Sequence, residues 1–189
     1  MAMKTSIRFF KTLNIILILG FPVILTTDIV YADQDETIRE EVVEAQKAWG
    51  DALVDLGKKY TDGQDYKQAA KALIDGLYAY QTGQVLFKPT KAADVKFRMT
   101  KEGALSYLIG HNKHFPEDKG FALKPWTNVR FRNAGIYING NVAIAMGKYF
   151  FTPLKGNVTK VEYTFGYVKD DAGKLKIVLH HSSLPYTKK

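Results

Sequence analysis

The stretch NVRFRNAGIYINGNVAIAMGKYFF, from Asn128 to Phe151, decides the fold class of this chain. Asn139-Gly140 separates two runs rich in β-branched and aromatic residues, and an Asn-Gly pair favours the tight turn of a two-residue hairpin. Apolar and polar residues alternate before the turn, as at Val129 and Phe131, so one face of the strand is apolar. The stretch therefore predicts two long antiparallel strands.

A second hairpin follows the first. KVEYTFGYV and KLKIVLHHSS flank Asp170-Asp171-Ala172-Gly173, which is a turn-forming sequence between two strand-like runs. Everything from Thr127 onward therefore predicts an antiparallel sheet, built from hairpins that follow one another along the chain.

The preceding part of the chain predicts helices. Apolar residues recur three and four apart from about Glu36 to Tyr60, and again from Tyr66 to Tyr80 with an end near Gly83, so we expect two amphipathic helices with core-facing aromatic residues. KEGALSYLI predicts a short third helix capped by Thr100. VLFK and DVKFR predict short strands, and HNKHFPEDKGFALKPW predicts a long loop of the kind that is often functional.

Helices followed by a meander predict an α+β fold in which a strongly curved antiparallel sheet wraps around about three N-terminal helices. The chain has 189 residues, 46% of them hydrophobic, which is enough for one well-packed domain. No internal repeat or linker divides it. We therefore expect a single domain over residues 33–189.

Residues 1–32 have the pattern of a signal peptide. A basic start precedes the apolar run LNIILILGFPVIL, and Val30-Tyr31-Ala32 provides a cleavage site. The apolar run is short for a membrane span. The mature protein is thus expected to be periplasmic or secreted, without membrane attachment after cleavage near Ala32. An uncleaved N-terminal anchor is the alternative.

Composition narrows the possible chemistry. The chain contains 0 cysteines, which excludes thiolate metal sites and cysteine nucleophiles. Its net charge is +8, and without the predicted leader, whose three basic residues and one Asp give +2, the mature part keeps +6, which favours small anions such as bicarbonate, phosphate or carboxylates near the surface. Because the lysines are scattered, without a basic helix or an aromatic RNA-binding motif, we do not expect nucleic acid as a partner.

The segment HHSSLPY, from His180 to Tyr186, places two imidazoles and two hydroxyls at the end of the last predicted strand. Strand alternation puts Val178, His180 and Ser182 on one face and Leu179, His181 and Ser183 on the other. Periodicity does not choose the inward pair, since a β-bulge would reverse the faces. A set of groups that only satisfy hydrogen bonds at a sheet edge is the alternative.

Six segments together resemble one known family, the iota-class carbonic anhydrases of the NTF2-like/SnoaL-like superfamily. The superfamily is related in fold to the association domain of a calmodulin-dependent kinase. The resemblance covers nearly all of the mature chain, and its most specific parts are the HHSS and Lys-Pro-Thr segments. The six are LFKPT (Leu86 to Thr90), LSYLIG (Leu105 to Gly110), GFALKPW (Gly120 to Trp126), AMGKYFF (Ala145 to Phe151), VEYTFGY (Val161 to Tyr167) and HHSSLPY.

This resemblance implies an NTF2-like cone, reversible hydration of carbon dioxide to bicarbonate, and a homodimer. It implies a reaction without a cofactor, although some members are reported to use manganese or zinc, which stays an alternative. The implied catalytic residues are Thr90, Tyr107, His180 and Ser182. His180 would accept the proton that leaves water, because an imidazole titrates near neutral pH, and the three hydroxyls would orient water and bicarbonate.

Other residues would complete this site. Phe121 and Trp126 are candidates for the apolar wall that binds carbon dioxide, whereas His181 and Ser183 would face the other side of the strand and support the sheet or a subunit contact. No metal site is expected.

Three alternatives stay open. His111 and His114, with Glu117 and Asp118 close by, form a possible metal site in the long loop. A second function class is a non-catalytic NTF2-like module that binds a small ligand or drives oligomerisation, since a fold does not fix chemistry. A third is another small-molecule enzyme, such as a polyketide-type cyclase or isomerase.

Overall fold

The computed structural model describes residues 26–188, and their side chains from residue 34 onward. The predicted signal peptide therefore lies outside the described residues up to residue 25. The helices are α1 (Thr26–Thr61), α2 (Tyr66–Leu77) and α3 (Lys101–Ile109), with a short 3-10 helix at Phe121–Leu123; the strands are β1 (Leu86–Lys88), β2 (Trp126–Asn139), β3 (Val142–Pro153), β4 (Thr159–Lys169) and β5 (Leu175–Ser183).

The strands form one five-stranded sheet in the order β1-β5-β4-β3-β2. All neighbours are antiparallel except β1, which runs parallel to β5 and places Phe87 opposite His180. The sheet is curved and does not close, and the helices lie against its inner face, with α1 on β2 and α2 on α1. The expected α+β fold is confirmed, as are both predicted hairpins.

Three irregularities shift the register of the sheet: one lies at the start of β2, between Trp126 and Asn128, and two others lie further along the chain. The first of these two lies in β2 between Asn133 and Gly135, where β3 approaches so closely that a Cβ on Gly147 would lie 2.2 Å from the Arg132 carbonyl oxygen. The other lies where β4 passes from Gly166 to Tyr167 beside β5. Bulges of this kind bend strands and reverse the faces that follow them.

The irregularity between β4 and β5 corrects one prediction about β5. Because the register shifts beside Val178, it is Ile177 that is buried, while Val178 is only partly buried. His180 and Ser182 are also buried, so the inward face of β5 consists of Ile177, His180 and Ser182. Simple alternation placed Val178 in that set.

The predicted strand DVKFR is wrong. Its first two amide hydrogens bind a side chain instead of a neighbouring strand, because the Glu117 carboxylate accepts hydrogen bonds from the preceding Ala93 and from Asp94 and Val95 at 2.6, 3.1 and 2.9 Å. The buried Arg98 then pairs with Asp118 at 2.8 Å. The segment is therefore a loop, and side chains about twenty residues further along the chain hold it in place.

The helix ends also differ from expectation. Helix α1 begins at Thr26 rather than near Glu36, and α2 ends at Leu77 rather than continuing to Tyr80. Tyr78 follows in an extended conformation, forms an isolated bridge with Ile177 and is only 1% exposed. Thr100 caps α3 as predicted, since its side chain accepts a hydrogen bond from the Gly103 amide. Among residues 26–188, no helix combines the length and apolarity that a membrane span needs.

Candidate active site

The end of β5 turns one of its two His/Ser pairs into the protein. His180 is 3% exposed and Ser182 is 1% exposed. His181 is exposed on the opposite face, and Ser183 is partly buried there. The inward pair is thus the one that the family resemblance selected, and no bulge separates its two members.

Tyr149 on β3 joins this pair. Its hydroxyl forms a short hydrogen bond with Ser182 Oγ and lies 3.4 Å from His180 Nε2, while Nε2 and Ser182 Oγ are 3.0 Å apart. The Thr90 side chain, which follows β1, also hydrogen-bonds Tyr149. We call Thr90, Tyr149, His180 and Ser182 the polar cluster.

The second ring nitrogen of His180 has a different set of neighbours. The Tyr78 hydroxyl lies 2.8 Å from Nδ1. In turn, the Nε1–H of Trp49 on α1 donates a hydrogen bond of 2.9 Å to the Tyr78 oxygen. Both nitrogens of the buried imidazole therefore have a partner, as a group removed from water requires.

Aromatic rings enclose the imidazole. Phe87 stacks on it with a centroid distance of 4.6 Å and an interplanar angle of 27°, a contact that follows from the β1–β5 register. Phe165 lies at 4.1 Å, and Trp49 presents an edge at 5.5 Å. The polar cluster is thus embedded in an apolar environment.

This environment keeps the cluster uncharged. Burial lowers the pKa of His180 well below its usual value of 6.5, and the nearby His181 lowers it further. Burial likewise raises the pKa of Tyr149 and of Tyr78 above the usual value of 10. Because the charged form is the one that loses hydration, each group stays neutral at pH 7. The cluster acts through oriented hydrogen bonds rather than through charge.

Tyr107 lies beside the cluster and holds its loop. Its ring meets Phe87 edge-on at 5.8 Å, and its hydroxyl forms a hydrogen bond with the backbone of Lys91, directly after Thr90. Burial raises the pKa of Tyr107 above its usual value. The residue therefore borders the cluster instead of belonging to its hydrogen-bond chain.

The two predicted wall residues lie beyond Tyr107. Phe121 stacks on Tyr107 at 5.4 Å, and Trp126 packs on Phe121 at 5.6 Å and on Phe151 at 5.2 Å. Phe121 therefore reaches the site through Tyr107, while the rings described against His180 itself are Phe87, Phe165, Trp49 and Tyr78.

Three site residues were missed by sequence reasoning: Trp49, Tyr78 and Tyr149. Trp49 belongs to the apolar stripe of the first predicted helix, which indicates core packing, and Tyr78 lies within the second predicted helix without belonging to its stripe. Tyr149 did carry a signal, since it shares the inward alternation of β3 with Ala143, Ala145 and Phe151. A hydroxyl on an otherwise apolar strand face calls for a buried hydrogen-bond partner.

Side chains of the alternative metal site in the long loop bind other partners. His114 pairs with Glu102 at 3.2 Å, while Glu117 and Asp118 bind the loop amides and Arg98. Within the part of the chain that the structure describes, no cluster of three or more His, Asp or Glu side chains has a metal-binding arrangement.

The fold places this chain in the NTF2-like class. An NTF2-like protein with a cystatin-like fold from Novosphingobium aromaticivorans superimposes with a TM-score of 0.53 at 13% identity, over 86% of this chain and 92% of that one. At this identity the similarity concerns the fold alone.

Closer relatives define the family. A family model described as metal-independent carbonic anhydrase matches residues 40–184. A metal-independent carbonic anhydrase from Nostoc sp. is 52% identical over 151 residues, 77% of this chain and 73% of that protein. A cyanobacterial iota-carbonic anhydrase, solved in complex with bicarbonate, has a TM-score of 0.77 and 49% identity, over 79% of this chain and 93% of that one. The chain belongs to the metal-independent carbonic anhydrase family.

The lowered pKa of His180 makes the stability of the protein depend on pH. Below about pH 6.5 the unfolded chain protonates this histidine while the folded protein keeps it neutral. The free energy of unfolding therefore decreases as the pH is lowered. Between pH 7 and 5.5 we expect His180 to account for about 1 kcal/mol of that loss. The measurement is denaturant unfolding of wild type and His180→Gln at both pH values, and the contribution of His180 is the loss of unfolding free energy in wild type minus that in the variant. His114→Gln, at an exposed position, is the matched control, and an equal pH dependence in wild type and His180→Gln would contradict the prediction.

Proposed function

We propose that this protein catalyses the reversible hydration of carbon dioxide to bicarbonate at the polar cluster, without a metal. Family membership supports the reaction, as does the bicarbonate complex of the similar cyanobacterial enzyme. The observation that carries the assignment to this site is the buried, neutral His180 in hydrogen-bond contact with the hydroxyls of Ser182 and Tyr149.

In this proposal His180 is the proton acceptor. Water is a weak nucleophile at neutral pH, so a proton has to leave it as its oxygen bonds to carbon dioxide. The neutral imidazole takes that proton through the Ser182 hydroxyl, 3.0 Å from Nε2, in the tautomer whose Nε2 carries no hydrogen, and general-base assistance contributes roughly 10²–10⁴-fold. The new C–O bond yields bicarbonate, and the imidazolium returns its proton to buffer.

Hydroxyl groups stabilise the charge that develops on the carbon dioxide oxygens. Those of Thr90, Tyr149 and Ser182 meet at one point of the cluster. Tyr107 adds a fourth: its oxygen takes the hydrogen bond from the Lys91 backbone, which leaves its own hydrogen for the substrate. Positioned donors of this kind are each worth about 10²–10³-fold in other enzymes.

The first test separates this enzyme from a non-catalytic binding module. Purified mature protein, treated with a chelator and shown by elemental analysis to lack metal, is expected to accelerate the pH change in carbon dioxide-saturated buffer. Heat-denatured protein is the control. A rate equal to that of buffer, with or without added manganese or zinc, would favour the binding module.

Single substitutions test the assignment of the inward pair. We expect His180→Ala and Ser182→Ala to reduce turnover by about 10²-fold or more, because each removes a link to the reacting proton. His181→Ala on the outer face is the matched control and is expected to stay within about threefold of wild type. Circular dichroism verifies folding of all three variants, and equal losses at His180 and His181 would refute the assignment.

We further propose that the protein is a homodimer that associates through the outer face of its sheet. This face has a hollow of about 740 Å³, in which Arg132, Lys148 and Glu162 supply both signs of charge beside His181 and Ser183. Exposed apolar residues lie on the same sheet: Tyr137, Ile144 and Met146. Light scattering during gel filtration should give twice the chain mass for wild type and the chain mass for Met146→Lys. A monomeric wild type would contradict the proposal.

Export completes the proposal. We propose that residues 1–32 are removed and that the mature protein is periplasmic or secreted. The basic start, the apolar run and the small residue Ala32 support this. Mass spectrometry of the protein recovered from its native cells is expected to show Asp33 as the first residue, and an intact leader would contradict cleavage.

A further inference from the structure

The Trp49–Tyr78 pair constrains the hydrogen positions around His180. An indole nitrogen carries one hydrogen and accepts none, so Trp49 must be the donor in its 2.9 Å hydrogen bond with the Tyr78 oxygen. The other described partner of that oxygen is His180 Nδ1 at 2.8 Å. Tyr78 satisfies both contacts at once if it accepts from Trp49 and donates its own hydrogen to Nδ1.

We propose that Trp49 and Tyr78 are positioning residues that fix the resting tautomer of His180 with its hydrogen on Nε2. This deepens the proposed function and rests on it only for its catalytic consequence. With Nδ1 occupied by the Tyr78 hydrogen, neutral His180 carries its one hydrogen on Nε2 and donates it towards Ser182 Oγ, 3.0 Å away.

The hydrogen bonds then share one direction from the helix into the cluster. Trp49 donates to Tyr78, Tyr78 to His180, and His180 to Ser182. Beyond Ser182, the Tyr149 hydroxyl hydrogen-bonds both Ser182 and Thr90. The tautomer of His180 therefore sets the direction of these hydrogen bonds as far as Ser182.

The opposite tautomer disrupts one contact. With the hydrogen on Nδ1, the Tyr78 oxygen would accept from both His180 and Trp49, and its own hydrogen would lose the partner described for it. A buried polar group without a partner disfavours such a state by about 5- to 150-fold. The form with a vacant Nε2, which takes a proton from Ser182, is therefore the minor form at rest.

Tyr78 also serves the protonated state. When the proton of the attacking water reaches Nε2, both ring nitrogens carry hydrogens, and Nδ1–H needs an acceptor. A tyrosine oxygen can donate in one state and accept in the other, because a hydroxyl is both donor and acceptor. Phenylalanine at this position would provide neither, so the ring would lose its support in both states.

The wild-type protein tests the tautomer directly. In ¹⁵N-histidine-labelled protein at pH 7.5, a long-range ¹H–¹⁵N spectrum distinguishes a ring nitrogen that carries hydrogen from one that does not, and His180→Gln identifies the signals of this ring. We expect hydrogen on Nε2 and none on Nδ1. Hydrogen on Nδ1 would overturn the proposal.

Substitution of Tyr78 tests its role. In Tyr78→Phe we expect the His180 signals to move towards a mixture of both tautomers. We expect kcat for carbon dioxide hydration to fall about tenfold, because the imidazolium formed in the reaction loses the acceptor of its Nδ1–H, and this loss outweighs the larger share of the vacant-Nε2 form. Tyr80→Phe is the matched control, because Tyr80 stacks on Tyr78 but donates its hydroxyl to the Arg98 carbonyl oxygen. It should keep the wild-type spectrum and remain within twofold in kcat. Unchanged His180 signals in Tyr78→Phe would overturn the proposal.

The two readouts separate this inference from the proposed function. The tautomer is a property of the resting protein and is observed without substrate. A protein that lacks carbonic anhydrase activity but has hydrogen on Nε2 would refute the function and keep the tautomer assignment. An active protein with hydrogen on Nδ1 would keep the function and refute the tautomer assignment.

Discussion

The structure depends on one constraint: an imidazole buried among aromatic rings needs a hydrogen-bond partner at both nitrogens. His180 is 3% exposed, so water does not supply these partners. Tyr78 lies at one nitrogen and Ser182 and Tyr149 lie at the other. The partners come from the end of α2, from β3 and from β5, and the three elements must therefore meet at one place. The residues that bind the imidazole are thus also residues of the core.

Local irregularities bring these elements together. Helix α2 stops at Leu77, and the extended conformation of Tyr78 turns its side chain towards β5. The register shift beside Gly166 aligns Ile177 with His180 and Ser182 on the inner face. Parallel pairing of β1 with β5 stacks Phe87 on the imidazole and delivers Thr90 just beyond the strand. Regular helices and strands alone would not converge in this way.

The sequence predicted those features that neighbouring residues determine. Both hairpins, the Thr100 cap and the shared face of His180 and Ser182 follow from turn residues, capping chemistry and a period of two. Features that depend on distant residues could not be predicted in this way. The segment DVKFR has strand composition, yet the Glu117 carboxylate takes its amides. Tyr78 lies outside the apolar stripe of its predicted helix, and its role follows from contacts with the distant Trp49 and His180.

An uncharged site limits how the reaction can proceed. In a metal-dependent enzyme, the charge of the metal ion lowers the pKa of its bound water, so hydroxide forms before the substrate arrives. The polar cluster carries no such charge at neutral pH, because burial disfavours the charged forms of His180, Tyr149 and Tyr78. Under the proposed function, the proton therefore has to leave water as the C–O bond forms. The direction of each hydrogen bond then matters as much as its length, since Nε2 accepts a proton only when it carries no hydrogen itself.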